Sequence, residues 1–299
     1  MSTKSGFVTI IGKPNVGKST LMNKLLGEDL SIITSKPQTT RKRILGILSE
    51  ENYQIIFLDT PGILDPKYLM QEKLADYIVK SVKDADVILF LITLGKSEKE
   101  LELFEKEETQ EYLKNKNKKK ILIINKIDLV KQEVLTSAMR KVEKKNIFDE
   151  IIPISALEGY NLEKLQEKII DFLPVHPKFY PDDELTNETE RFFVSEKIRE
   201  KILELYHDEI PYSIEVIIEE FKEREKGKDF ISASIVVERE SQKPIILGKG
   251  GSKIKKLGAA ARISVEEFLM RKVYLELRVK VADNWRKDKN ALKRFGYLE

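Results

Sequence analysis

Along the first 173 or so residues, two apolar rhythms alternate. Solid apolar runs near residues 7–11, 44–48, 54–59, 86–92, 120–124 and 151–154 read as strands. Stretches near 19–26, 69–82, 98–114, 132–145 and 161–172 carry the three-and-four spacing of helices. The later runs, such as Val87-Ile88-Leu89-Phe90-Leu91-Ile92, lack polar alternation, which predicts parallel strands covered on both faces. Only the short turn Ser49-Glu50-Glu51-Asn52-Tyr53 joins the second strand to the third, so that pair is expected to be antiparallel. The fold class expected is α/β, a mostly parallel six-stranded sheet with helices on both faces.

The rhythm changes after residue 173. Pro174, Pro177 and Pro181 cannot continue a helix and read as a stiff extended linker. Beyond it, a helix near 188–206 carries Phe192, Phe193, Ile198, Ile202, Leu203 and Leu205. Two alternating strands follow, Tyr212–Phe221 and Asp229–Glu238, then a helix–turn–helix stretch and a strand Val273–Val281. The pattern divides the chain into an α/β domain over 1–174, a linker over 175–187 and an α+β domain over 188–299.

Composition narrows this only at a few points. Charged residues make up 34% of the 299, above the usual ~25%, yet the net charge is +3. That excludes a uniformly basic coat while leaving room for local basic faces. There is no cysteine, hence no disulfide framework and no thiolate metal site, and His176 and His207 read as surface or linker residues. The apolar run Phe7–Ile11 is too short for a signal peptide, and the longest run has a strand's length, so a soluble intracellular protein is expected. Abundant Lys and Glu with five Met point to a hot habitat or to an AT-rich genome, and both stay open.

The most informative residues are Gly12-Lys13-Pro14-Asn15-Val16-Gly17-Lys18-Ser19, a complete phosphate loop set between a predicted strand and a predicted helical run from Thr20. Such a loop aims successive backbone N–H groups at one point on the positive end of the helix dipole. Lys18 is expected at the β/γ oxygens and Ser19 on Mg²⁺, so a bound nucleoside triphosphate is implied. Asn125-Lys126-Ile127-Asp128 closes the strand near 120–124. There the Asp128 carboxylate is suited to accept from guanine N1–H and N2–H₂, a donor pair that adenine lacks. GTP is therefore the expected substrate, with Thr20 also an expected GTP contact. Asp59-Thr60-Pro61-Gly62 ends a third strand, with Asp59 expected to hold Mg²⁺ through water and the Gly62 N–H to sense the γ-phosphate. One threonine of Pro37-Gln38-Thr39-Thr40-Arg41 should complete the metal shell. Ser155-Ala156-Leu157 would offer backbone N–H groups to guanine O6.

In the second half, Gly248-Lys249-Gly250-Gly251 follows Ile245-Ile246-Leu247 and precedes a helix start. It resembles the G-x-x-G loop with which K-homology (KH) domains clamp single-stranded nucleic acid, and the element order suggests a type II KH domain. Gly248, Lys249, Gly250, Gly251 and Lys253 are the expected RNA contacts, with Lys255 and Lys256 able to face phosphates.

With both halves in hand, the chain resembles the Era family of bacterial GTPases, which serve small ribosomal subunit assembly. The match covers nearly the full length and includes Gly12–Ser19, Pro37–Arg41, Asp59–Gly62, Asn125–Asp128 and the G-x-x-G loop, with lesser matches at Arg191-Phe192, Glu209-Ile210-Pro211-Tyr212-Ser213 and Trp285-Arg286. The resemblance implies a P-loop GTPase domain followed by a KH domain, and slow GTP hydrolysis. It also implies binding near the 3′ end of 16S ribosomal RNA on the 30S subunit, with GTP loading favouring RNA. A cytoplasmic monomer is implied too, with weak peripheral association at the inner membrane face, although the sequence has no membrane-seeking segment. Resemblance to the Thr-Thr-Arg motif of related GTPases favours Thr40 over Thr39, so Lys18, Thr40 and Gly62 are the expected catalytic set and Ser19, Thr40 and Asp59 the metal set. Where Ras-type proteins carry a glutamine, this chain has Ile63, which cannot position water. Asn15 either coordinates a monovalent cation such as K⁺, as in related GTPases, or simply caps the turn. Two rivals are weaker: an RNA-binding module with a purely structural nucleotide site, against which the intact set Ser19, Thr40 and Asp59 argues, and a transfer-RNA-modifying GTPase, which would need a further catalytic domain.

Overall fold

The computed structural model describes residues 3–34, 36–95 and 99–298. Met1 and Glu299, the outer ends of the two expected domains, lie outside them, as does Glu98, the first residue of one expected helix. The chain forms two compact units. The first comprises residues up to 31, 40–64 and 74–187, and the second comprises 32–39, 65–73 and 188 onward.

In the first unit, β1 (Lys4–Gly12), β2 (Ile44–Glu50), β3 (Tyr53–Asp59), β4 (Val87–Thr93), β5 (Lys119–Asn125) and β6 (Glu150–Pro153) form one sheet in the order β2-β3-β1-β4-β5-β6. Only β2–β3 is antiparallel, as its short turn requires. Ile11, Ile88, Phe90, Ile92, Leu122 and Ile124 pack with Ile78 of α2 (Leu69–Asp84), Leu113 of α3 (Glu107–Leu113) and Leu135, Ala138 and Val142 of α4 (Gln132–Glu143). The alternate set, Ile10, Leu89, Leu91, Ile121 and Ile123, is buried just as fully, as are Leu21 of α1 (Lys18–Leu26) and Leu165 and Ile169 of α5 (Leu162–Phe172), so both faces are covered and the strands read as solid apolar runs. Register brings Ile10 opposite Asp59, Gly12 opposite Leu91 and Thr93 opposite Asn125. The C-terminal ends of β1, β3 and β5 thus form one rim, the place where open α/β sheets take ligands.

The continuous helix expected over 98–114 is instead a 3-10 stretch, Lys99–Glu105, followed by α3, with Lys106 extended between them. Leu101, Leu103 and Phe104 are all buried, and steps of two and one do not fit a single α-helical stripe. The segment read as a stiff extended linker makes hydrogen bonds to the first sheet. Buried Gln54 of β3 accepts from Phe179 N (2.8 Å) and Tyr180 N (3.0 Å) and donates to Tyr180 O (2.9 Å). Ile47 N donates to Leu185 O (2.8 Å), and Thr186 Oγ1 donates to Leu45 O (2.6 Å) along the outer side of β2.

In the second unit, β7 (Ile214–Lys222), β8 (Asp229–Val237) and β9 (Val273–Val281) make a three-stranded sheet, antiparallel then parallel. Helix α6 (Glu190–Leu205), capped by Thr189 accepting from Phe192 N, packs on this sheet with α7 (Lys243–Leu247) and α8 (Ser252–Leu269). Val194, Ile198, Ile202, Ile231, Ile235, Leu257, Ala261 and Val265 are among the residues of its core. A C-terminal helix α9 (Lys289–Arg294) had no clear periodic signal, and Trp285 just before it is buried with Nε1 donating to Ser213 O (3.1 Å).

Candidate functional site

The phosphate loop leaves β1 at Gly12 (φ 153°) and enters α1 (Lys18–Leu26) through Gly17 (φ 98°). A Cβ at Gly12 would lie 2.3 Å from Leu91 O, and one at Gly17 would lie 2.4 Å from Asn125 Nδ2, so both positions demand glycine twice over. Lys18 is buried, its ammonium donating to the loop's own carbonyls at Lys13 (3.1 Å) and Gly12 (3.3 Å). Burial lowers its pKa to about 8 against the opposing pull of Asp59.

Asp59 is fully buried at the end of β3, and three hydroxyls donate to its Oδ2: Ser19 (2.8 Å), Ser31 (3.1 Å) and Thr40 (3.2 Å). Ser19 Oγ and Thr40 Oγ1 are 3.0 Å apart. Desolvation raises the Asp59 pKa, opposed by Lys18 and these hydroxyls. Its other oxygen, Oδ1, is buried with no hydrogen-bond partner among the described residues. An orphaned carboxylate oxygen beside converging hydroxyls is a hard-oxygen donor set of the kind that suits a small divalent cation and its waters. The chain turns after Asp59 through Thr60 Oγ1, which donates to Ile10 O (2.7 Å), and Ile63 N, which donates to Gly12 O (3.0 Å). A Cβ at Gly62 would come within 2.7 Å of Pro14, so this strand end is pressed against the phosphate loop. Ile63 itself points inward, buried in the cluster with Ile11, Ile88 and Phe90.

Asn125 ties three motifs together. Its Nδ2 donates to Val16 O (2.8 Å), and its Oδ1 accepts from Lys126 N (2.8 Å) and Ala156 N (2.9 Å). Lys126, in the left-handed region (φ 61°), donates from Nζ to Asn15 O (2.8 Å). Asp128 sits exposed on the 3-10 turn Ile127–Leu129. The three peptide N–H groups expected from Ser155-Ala156-Leu157 are not equivalent. Ser155 N donates to Tyr160 O (3.3 Å) and Ala156 N to Asn125 Oδ1, and among the described residues only the Leu157 N–H has no such partner. Asn23 and Ser31 escaped notice in the sequence, where an asparagine between Met22 and Lys24 looks like an ordinary helix residue. The signal was available: Asn23 shares a helix with Leu21, Met22 and Leu25, and a buried amide must find partners.

In the second unit, α7 ends at Gly248 (φ 69°, ψ 173°), a conformation open only to glycine, where a Cβ would lie 2.9 Å from Lys253 Cβ. Gly250 and Gly251 also have positive φ, and a Cβ on either would meet nothing within 4 Å, so the loop's outer side is open. Lys249, Gly250, Lys253, Lys255 and Lys256 are exposed around the start of α8. The loop is braced from behind by Tyr206 Oη donating to Ile246 O (2.8 Å). Beside it lies a cleft of about 360 Å³ whose lining includes Tyr206, Ile245 and Lys253.

Comparison with known proteins fits this geometry. Residues 7–126 match the family described as 50S ribosome-binding GTPase, and residues 209–286 match the KH domain. The chain is 46% identical over 298 residues to the GTPase Era of Clostridium botulinum strain Hall, covering 98% of each chain. It is 47% identical over 294 residues to that of Geotalea uraniireducens, again with 98% of each covered. The chain belongs to the Era family of GTPases. Two solved Era structures superpose on this Era-family chain with a TM-score of 0.92 at 40% identity, covering 99% of it and 100% of theirs. One is an Aquifex aeolicus tyrosine-to-alanine variant bound to GDP·AlF₄⁻, and the other is a complex with MgGDPNP and nucleotides 1506–1542 of 16S ribosomal RNA. The protein is a GTPase with a KH domain, on a mostly parallel six-stranded sheet.

Proposed function

We propose that this Era-family chain is a magnesium-dependent switch whose GTP state governs binding to the 3′ region of 16S ribosomal RNA during 30S subunit assembly. The observation that carries the reading is the buried cluster of Ser19, Thr40 and Asp59 beside Lys18, with Asp59 Oδ1 unsatisfied. Ser19 and Thr40 would ligate Mg²⁺ directly and Asp59 through water, and the bound ion would neutralise charge on the β- and γ-phosphates. Lys18 moves from the loop carbonyls to the phosphate oxygens. The Gly62 N–H meets the γ-phosphate, and loop N–H groups between Gly12 and Thr20, where Pro14 contributes none, hold the α/β-phosphates. Asp128 reads guanine, with Lys126 flanking the ring and the 155–157 turn near O6. With Ile63 buried, no side chain at that position orients water, which fits slow turnover on the order of 10⁻⁴ to 10⁻² s⁻¹.

In the second unit, Gly248–Gly251 and Lys253 clamp the sugar-phosphate of single-stranded RNA. The domain limits 1–174 and 188–299 belong to this reading, with residues 32–39 and 65–73 clustering with the RNA-binding half. The protein works as a cytoplasmic monomer. No helix among the described residues is long and apolar enough to cross a membrane, and vesicle flotation tests the weak peripheral contact. Asn15, at φ 63° in the phosphate loop, is the residue through which K⁺ would assist hydrolysis. Turnover of radiolabelled GTP in K⁺ and in Na⁺, with crosslinking of the GTP-loaded protein to total RNA, tests the whole. Equal rates in the two salts remove K⁺, and retained RNA lacking 16S 3′ sequences removes the ribosomal target.

A further inference from the structure

Three hydroxyls converge on Asp59 Oδ2, and the magnesium reading uses only two of them. The third, Ser31, belongs to none of the nucleotide motifs. It is buried, and its backbone is held on both sides by one side chain: Asn23 Nδ2 donates to Ser31 O (2.8 Å), and Ser31 N donates to Asn23 Oδ1 (2.9 Å). Asn23 lies one turn beyond Ser19 on α1, so the helix that supplies one metal-facing hydroxyl also fixes Ser31. An amide paired with both backbone polar groups of one residue leaves that backbone little freedom, and the Ser31 hydroxyl starts from a fixed point and donates to Asp59 at 3.1 Å. Thr40 differs. It reaches Asp59 at 3.2 Å from a stretch outside regular secondary structure, and in GTPases this segment is ordered by the γ-phosphate and released after hydrolysis.

We propose that Ser31, locked by Asn23, is a positioning residue that keeps the Asp59 carboxylate aimed at the magnesium site when Thr40 has withdrawn, so that Mg²⁺ is retained in the GDP state. This rests on the magnesium reading above. With Oδ2 held by a donor that does not depend on nucleotide, Oδ1 stays directed at a metal-bound water, and the group need not reorganise between states. The GTP state has Thr40 as an additional anchor, so Ser31 matters less there.

The test is release of a fluorescent GDP analogue from the full chain as Mg²⁺ is titrated, then the same with a non-hydrolysable GTP analogue. In Ser31→Ala the Mg²⁺ concentration that half-maximally slows GDP release is expected to rise roughly tenfold, the effect of losing one hydrogen bond to a charged group. The GTP-analogue value should move less than threefold, and release in excess chelator should match wild type. Asn23→Ala should shift the GDP value in the same direction, and Ser31→Thr, which keeps the hydroxyl, should restore it. An unchanged Mg²⁺ dependence in Ser31→Ala overturns the proposal. So does an equal shift in chelator, which would mean a general loosening of the loop, or a Ser31→Thr variant as impaired as alanine. Wild-type release that ignores Mg²⁺ would overturn the metal site itself, and this role with it.

Discussion

Asn125 shows how much one side chain can hold in this molecule. It is buried and joins peptide groups of the phosphate loop, the base-reading strand end and the 156 turn, so its removal leaves a carbonyl and two N–H groups without partners. Asn125→Ala should destabilise the nucleotide-free protein by about 2–4 kcal/mol and weaken GTP binding by more than tenfold. Asn125→Asp keeps the acceptor for both N–H groups and should fall between. Urea unfolding with GTP titration checks this, and an alanine variant no weaker than aspartate would sink it. Asp128 has the opposite character, exposed on its 3-10 turn. Asp128→Asn swaps an acceptor for a donor that suits the C2 carbonyl of xanthine. GTP affinity should therefore drop by at least ~100-fold while xanthosine triphosphate gains. A variant that still prefers GTP by a wide margin would show that Asp128 does not read the base.

At the scale of elements, the strands of both units and all but one of the expected helices follow the hydrophobic pattern closely, because solid runs and three-and-four stripes reflect burial on two faces or one. The phosphate loop was equally legible, since Gly12 and Gly17 occupy conformations only glycine takes without strain. What the pattern could not give was contact between distant segments. The proline stretch after residue 173 reads as linker from composition, yet Gln54, an unremarkable strand residue in the sequence, binds it through three hydrogen bonds. Asn23 and Ser31 were hidden for the same reason: a buried polar pair has no period. Gln54→Ala is expected to cost about 1–3 kcal/mol and to open residues 177–187 to limited proteolysis, because the Phe179 and Tyr180 N–H groups lose their acceptor. Cleavage no faster than wild type would mean that the segment is held by its apolar contacts alone.

At the scale of the whole molecule, the stretches flanking the nucleotide motifs matter most. Residues 32–39 and 65–73 pack within the second unit: Arg199 donates to Thr39 O (2.6 Å), Lys36 to Tyr206 O, and Arg286 to Tyr68 Oη (3.1 Å) while lying 4.8 Å over its ring. Thr39 adjoins Thr40 in the chain, Lys36 of the same stretch donates to Tyr206 O, and Tyr206 braces the G-x-x-G loop, which under the proposed switch is the path by which the nucleotide state would reach that loop. Coupling of this kind is worth 1–3 kcal/mol, or roughly 5- to 150-fold, and it must be reciprocal. A single-stranded RNA from the 16S 3′ region is therefore expected to tighten binding of a non-hydrolysable GTP analogue by the same factor as the analogue tightens RNA. Tyr68→Ala should reduce that factor without changing either affinity alone by more than a few-fold. Joint replacement of Lys249 and Gly250 by Asp should abolish RNA binding and leave nucleotide affinity of the RNA-free protein intact. RNA affinity that is identical in GDP, GTP-analogue and empty states would mean that the halves are merely tethered.

The course of residues 185–186 along β2 has a consequence for solubility. β2 is the outermost strand of its sheet, and an uncovered strand edge is a template for pairing with another chain. Here Leu185 O and Thr186 Oγ1 occupy two of its outward backbone positions, at Ile47 N and Leu45 O. A nucleotide-binding fragment cut at residue 174 would therefore bare a short apolar edge, Ile44-Leu45-Gly46-Ile47-Leu48. It is expected to self-associate in light scattering, whereas a fragment carried to residue 187 stays dispersed. On that outcome, residues 175–187 guard the edge of β2 during the interval of synthesis when the first half has folded and the second has not.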